Sequence, residues 1–159
     1  LKFKISKNQK IIEYSPLTIE YLKKISKKIN NKKGALLIID YGYIAEEMKD
    51  TLIAIKKHSV TNVLDEVGKT DITYHLNFKV LEKIIKNFKV KCQGITTQRN
   101  FLINLGIKER AEIISKNLSF SKKADIYYRL NRLINEKQMG NLFKVMLITD
   151  NKVNFKTGF

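Results

Sequence analysis

The chain has one cysteine, one proline and no tryptophan among 159 residues, and arginine stands only at positions 99, 110, 129 and 132. With Cys92 alone no intrachain disulfide can form, which excludes a disulfide-stapled scaffold and permits a reducing compartment. Cys92 alternates with Phe88 and Val90, as a small buried hydrophobe does, and neither a strand-elbow motif nor a positioned His supports nucleophilic catalysis at it or at a Ser. No apolar run reaches the ~20 residues of a membrane-spanning helix and no signal-peptide pattern opens the chain, so a cytoplasmic location is expected. Glycines are isolated and no Gly-x-Gly occurs, which removes the dinucleotide fingerprint. His58, His75, Asp65 and Asp71 have none of the standard metal-ligand spacings, so no metal is expected.

Acidic residues are few: 15 against 31 basic ones, for a formal charge of +16. Such a balance invites a basic module that docks on nucleic acid or an acidic protein surface. Nearly all of it is lysine, scattered with abundant Ile and Asn, whereas phosphate and base readers favour the bidentate fork of arginine. That composition argues against dedicated nucleic-acid binding, and the basic module remains the alternative reading.

What is present is enough for one globular domain with a real core, since 43% of the residues are apolar. The chain is organised around Gly34–Tyr43, where five consecutive apolar residues, Ala35 to Ile39, predict a strand buried on both faces and central to a parallel sheet. The run stops at Asp40, Tyr41 and Gly42, at the carboxyl end of the strand, where open α/β sheets bind ligands. Before it, Leu1–Ile12 alternates loosely like a small hairpin, and Ser15-Pro16 is a helix start with Thr18, Leu22, Ile25 and Ile29 on one face, ending at Asn30-Asn31. After it, Thr51–Lys57 predicts a strand, and Val60–Leu76 a long polar loop holding Asp65, Gly68, Asp71, Thr73 and His75.

Asn77 then caps a helix with Phe78, Leu81, Ile84 and Ile85 inward, and Phe88, Val90 and Cys92 alternate as a strand closed by the polar cluster Gln93–Gln98. Helical patterns follow over Phe101, Leu102 and Leu105 with Gly106 as C-cap, over Ala111, Ile113, Ile114 and Leu118, and from Ser121 with Ala124, Tyr127, Tyr128, Leu130, Leu133 and Ile134 mostly inward. Leu142–Thr149 is a last apolar strand, with a short tail strand around Val153–Phe155. The candidate site joins the Asp40-Tyr41-Gly42 turn to the loop Asp65–His75, where carboxylates and an imidazole can hold a cation or accept a proton. Asp71 or Thr73 can equally serve the loop by side-chain to backbone bonds, with Tyr41 packed on it.

In order along the chain, Tyr14-Ser15-Pro16, Gly34 to Gly42, His58, Val63-Leu64-Asp65, Gly68, Asp71-Ile72-Thr73, His75, Asn77-Phe78, Gln98, Phe101-Leu102, Leu105-Gly106-Ile107, Met139-Gly140 and Phe143-Lys144-Val145 resemble the MidA family. These are class I S-adenosylmethionine-dependent methyltransferases, similar to a mitochondrial assembly factor that dimethylates an arginine of a complex I subunit. Asn77 stands where that family usually has Asp, a change that preserves N-capping.

The resemblance implies an α/β fold: a partial class I methyltransferase, Rossmann-like sheet with inserted helices and an antiparallel last strand. Gly34–Asp40 would be the fifth strand, Phe88–Gln93 the sixth and Leu142–Thr149 the seventh. It implies a single domain over 1–159 that corresponds to the C-terminal portion of the family, without the glycine-rich cofactor half, and the start at Leu1 fits a processed chain or a piece of a longer one. S-adenosylmethionine is then expected for the complete enzyme and not for this chain alone. The partners implied are that N-terminal half or a second copy, and a protein substrate such as a respiratory complex I subunit. Asp40 and His75 are the expected catalytic pair, with Tyr41, Gly42, Asp71 and Thr73 binding substrate.

Overall fold

A computed structural model describes residues 9–159. The hairpin expected over Leu1–Ile12 lies mostly outside the described residues, and Gln9 to Ile12 form no strand. Helix α1 (Pro16–Lys32) opens as its sequence requires: the Ser15 side chain accepts from the Thr18 amide, Pro16 presets the first turn, and Lys33 closes the helix in the left-handed region. Its buried stripe is Ile19, Leu22, Ser26 and Ile29, one residue round from the expected Thr18 face, and it continues past Asn31.

Four strands form the main sheet in the order β5 (Leu76–Asn77), β1 (Ala35–Tyr43), β7 (Phe143–Asp150), β6 (Val90–Thr97). β7 runs antiparallel to both β1 and β6, so those two point the same way, as the family arrangement predicts. α1 and α2 (Phe78–Ile85) cover one face, burying Ile19, Leu22, Ile29, Phe78, Leu81, Ile84 and Ile85 against Met146 and Ile148. Asn77 caps α2 as expected, accepting from the amides of Lys79 and Val80. A short 3-10 turn, Lys86–Phe88, leads into β6, so Phe88 precedes the strand, and the strand runs through the polar cluster to Thr97. It bulges between Cys92 and Gly94. The displaced Gln93 amide donates to Val153 O at 2.7 Å and accepts from the Phe155 amide. Residues 153–155 are therefore held by a side chain and do not form the expected tail strand.

The apolar run of β1 departs from expectation. Its full-length neighbour is the antiparallel β7, and on its other edge only Gly42 and Tyr43 are paired, with Leu76 and Asn77 of β5. From Ala35 to Tyr41 that edge has no strand partner among the described residues. Nor are both faces buried: Leu36 and Ile38 pack on the core, while Leu37 and Ile39 are 45% and 47% exposed. The sheet's true both-face strand is β7, where Val145 to Thr149 are all buried.

Between β1 and α2 the polar loop proves to be structured. β2 (Ile53–Lys56) pairs with β3 (Ser59–Thr61) and with β4 (Asp71–Thr73) in a small antiparallel sheet of its own. Four helices separate β6 from β7: α3 (Gln98–Asn104), α4 (Ile107–Ser115), α5 (Phe120–Ile134) and α6 (Met139–Leu142). Gly106 has φ +78° between α3 and α4, a left-handed turn that suits glycine. α5 starts one residue before Ser121, which is therefore inside the helix, and Ser119 at the N-cap position makes no side-chain capping bond. Here inward packing is thinner than the pattern predicts, because Ile113, Ile114, Tyr127 and Tyr128 are exposed and Ile134 alone of α5 is buried.

Candidate functional site

Strand alternation decides which of the candidate residues can meet. Asp40 and Gly42 share the β1 face that packs on α1 and α2, as Phe78 beside Gly42 shows, whereas Tyr41 projects to the other face with Leu37 and Ile39. The three consecutive residues therefore offer two sides of one strand end. On Tyr41's side, its hydroxyl hydrogen-bonds Thr73 Oγ1 at 2.8 Å, and its ring meets His75 and Phe143 edge-on, each at 5.7 Å between centroids. The Phe143 contact follows from register, since Tyr41 and Phe143 are Cα partners across β1 and β7.

His75 is held from behind. Its backbone amide donates to Thr51 Oγ1 at 3.0 Å, and that hydroxyl donates to the Glu13 carboxylate at 2.8 Å. Glu13, Thr51 and Phe143 are the supporting residues that sequence reasoning missed. Glu13 carries no periodic or motif signal, Thr51 was legible only as the first residue of the strand expected over Thr51–Lys57, and Phe143 only within the strand Leu142–Thr149 and the Phe143-Lys144-Val145 match to the family.

Asp40 Oδ1 accepts from the Tyr41 amide at 2.8 Å. Directly across the sheet stands Lys144, whose ammonium donates to Asn141 O, and burial pushes its pKa down from the ordinary lysine value. An open cleft of about 360 Å³ runs beside this corner, lined among others by Leu22, Ile38, Asp40, Tyr41, Ile72 and Thr73. Asp71 does not line it: it is exposed and paired in register with Ile55 of the small sheet. Gly42 has a packing role in this arrangement, since a Cβ there would lie 2.2 Å from Leu76 O. Of the six candidates, Tyr41, Thr73 and His75 come together, Asp40 stands on the opposite face at the same strand end, and Asp71 and Gly42 stand apart from the cluster.

Among the described residues no group of three or more His, Cys, Asp or Glu is arranged to hold a metal. Among the described residues the glycines form no cradle for the S-adenosylmethionine that the resemblance implies. Gly42, Gly94, Gly140 and Gly158 are pressed against the chain's own atoms, and the three with room around them, Gly34, Gly68 and Gly106, are isolated in the sequence. No step through the cofactor is derived from these residues.

No helix among the described residues is long and apolar enough to cross a membrane. The chain is 31% identical over 134 residues to "Protein arginine methyltransferase NDUFAF7, mitochondrial" of Xenopus tropicalis, covering 84% of this chain and 31% of that protein. The Danio rerio protein of the same name is 33% identical over 123 residues, covering 77% of this chain and 29% of that one. The chain thus spans about a third of the length of these curated relatives. Two solved structures from Burkholderia thailandensis share the fold at 22% identity. An uncharacterized protein superposes with a TM-score of 0.80 over 92% of this chain and 40% of its own. A protein titled "likely methyl transferase", bound to S-adenosyl-homocysteine, superposes with a TM-score of 0.74 over 89% and 38%. A family model described as "Putative S-adenosyl-L-methionine-dependent methyltransferase" matches residues 1–96, more than half of the chain, and the chain belongs to that family, as its MidA resemblance implies.

Proposed function

We propose that this chain is the substrate-side portion of an S-adenosylmethionine-dependent methyltransferase whose acceptor is a protein arginine, and that a segment carrying the glycine-rich cofactor turn completes it along the open edge of β1. The observation that carries this is the edge itself: among the described residues Ala35 to Tyr41 have no strand partner there, and Leu37 and Ile39 are half-exposed. A strand added at that edge would satisfy its main-chain donors and acceptors, and the helices it brings would cover the apolar side chains. Arginine as acceptor rests on the names of the relatives, and a respiratory complex I subunit, implied by the resemblance, is the protein substrate to test first.

The residues suit the acceptor side. A guanidinium placed against the Tyr41 and Phe143 rings is attracted by their π faces, and the His75 imidazole on the same side orients it and takes the proton that the nitrogen sheds, while Asp40, on the other face of β1, does not reach it. The relatives are named mitochondrial, so the cytoplasmic location expected from the sequence finds no support in them.

The test has two arms. Titration calorimetry of this chain alone with S-adenosylmethionine should show no binding, and a micromolar affinity would overturn the reading that the cofactor site lies elsewhere. Co-expression with an N-terminal segment of the family should give a complex that methylates arginine peptides, with light scattering showing that it replaces self-association of the lone chain. A concentration-independent monomer with a cooperative thermal transition would refute the open edge, and Leu37→Thr with Ile39→Thr should move a self-associating chain toward monomer.

A further inference from the structure

Helix α5 carries two apolar stripes, and the fold uses one. Ile126, Leu130, Leu133 and Ile134 turn toward the protein. Phe120, Ala124, Tyr127 and Tyr128 recur at i, i+4, i+7 and i+8, so they form a second stripe beside the first, and it faces solvent: Phe120 is 88%, Tyr127 44% and Tyr128 69% exposed. At 3.6 residues per turn Lys123 borders this stripe on one side and Arg132 on the other. Between positions 116 and 134 there are five basic residues and a single carboxylate, Asp125, which flanks Tyr128 on the same side as Arg132 and is already paired with Arg129 at 2.9 Å. Lys116, Lys122, Lys123 and Arg132 take part in no ion pair among the described residues.

We propose that this stripe is a docking face for an acidic protein segment with large apolar anchors. Charge complementarity selects that occupant: carboxylates flanking the anchors would meet Lys123 and Arg132 while the anchors cover Phe120 and Tyr128. A second copy of this chain fits worse, because an isologous contact through the stripe would set the same cations against one another. The inference is independent of the cofactor reading, because α5 packs on α3, α4 and α6 and its stripe shares no residue with the β1 edge.

The experiment selects unbiased 16-residue peptides displayed against the immobilised chain. The enriched peptides should combine Asp or Glu with Leu, Phe or Trp, and the best should lose about tenfold in affinity on Phe120→Ser, on Tyr128→Ser and on the charge reversal Arg132→Glu. All three positions are exposed, so the thermal transition of each variant should match the parent. Enrichment of peptides lacking acidic residues, or binding unmoved by the three substitutions, would overturn the proposal. So would a dimer that Phe120→Ser dissolves, or tighter binding to phosphatidylglycerol vesicles than to any peptide that is lost with the same substitution.

Discussion

Gly42→Ala is the sharpest perturbation the fold offers. The added Cβ would sit 2.2 Å from Leu76 O and 2.9 Å from Phe78 Cε2. Neither neighbour can yield cheaply: the carbonyl belongs to the strand residue paired with Gly42 itself, and Phe78 is wholly buried. Overpacking of a tight core costs about 1–3 kcal/mol. Pushing β5 outward also disturbs Asn77, the cap of α2, for about 1 kcal/mol more. A loss of about 3 kcal/mol, roughly a hundredfold in the unfolding equilibrium, is expected. Urea denaturation followed by circular dichroism measures it, with Gly34→Ala as the control, because nothing lies within 4 Å of a Cβ at Gly34 and that change should stay within about 0.5 kcal/mol of the parent. Equal midpoints for the Gly42 variant and the parent would refute the close approach of β5, and with it the assignment of Gly42 to packing.

Two further outcomes follow from the site and the sheet. Tyr41→Phe removes the 2.8 Å bond to Thr73 and should cost about 1 kcal/mol. Amides of residues 71–75 should then exchange faster while those of α2 keep their protection, and uniform acceleration would show that the bond is not what fixes the loop. Burial pushes the Cys92 thiol up to about 11. The folded chain keeps a proton that the unfolded thiol releases near 8.5, so this contribution to stability is complete below about pH 8.5 and is lost as pH rises toward 11. Reaction with an aromatic disulfide at pH 8 should run roughly tenfold slower than for a small free thiol, and equal rates would place the sulfur in solvent.

Local signals in the sequence were legible because their causes are local. Ser15-Pro16 and Asn77 cap their helices through atoms within three residues, and Phe78, Leu81, Ile84 and Ile85 are spaced for one helix face. In the small sheet β2 was legible, inside the strand expected over Thr51–Lys57, whereas β3 and β4 were not, since three residues are too short for a period to establish itself, and Asp71 was drawn into the site because a polar residue in a long loop has the same signature as a strand residue on a solvated face. The Glu13, Thr51 and His75 chain joins residues 38 and 24 positions apart, and nothing in any of the three neighbourhoods encodes the other two.

The run Ala35 to Ile39 is the instructive mismatch. A strand with one solvated face selects alternation, and β1 would then need polar residues where Leu37 and Ile39 stand. Burying two side chains of this size is worth about 1.5–3 kcal/mol each relative to leaving them in water, so their half-exposure forgoes about 2 kcal/mol in all that the residue types could supply. The pattern thus describes an environment with a cover on both faces, while the described residues furnish a cover on one. β7 satisfies the same rule within the chain, where Val145 to Ile148 are apolar and buried throughout, and that contrast between neighbouring strands of one sheet is what supports placing the proposed cover beside β1.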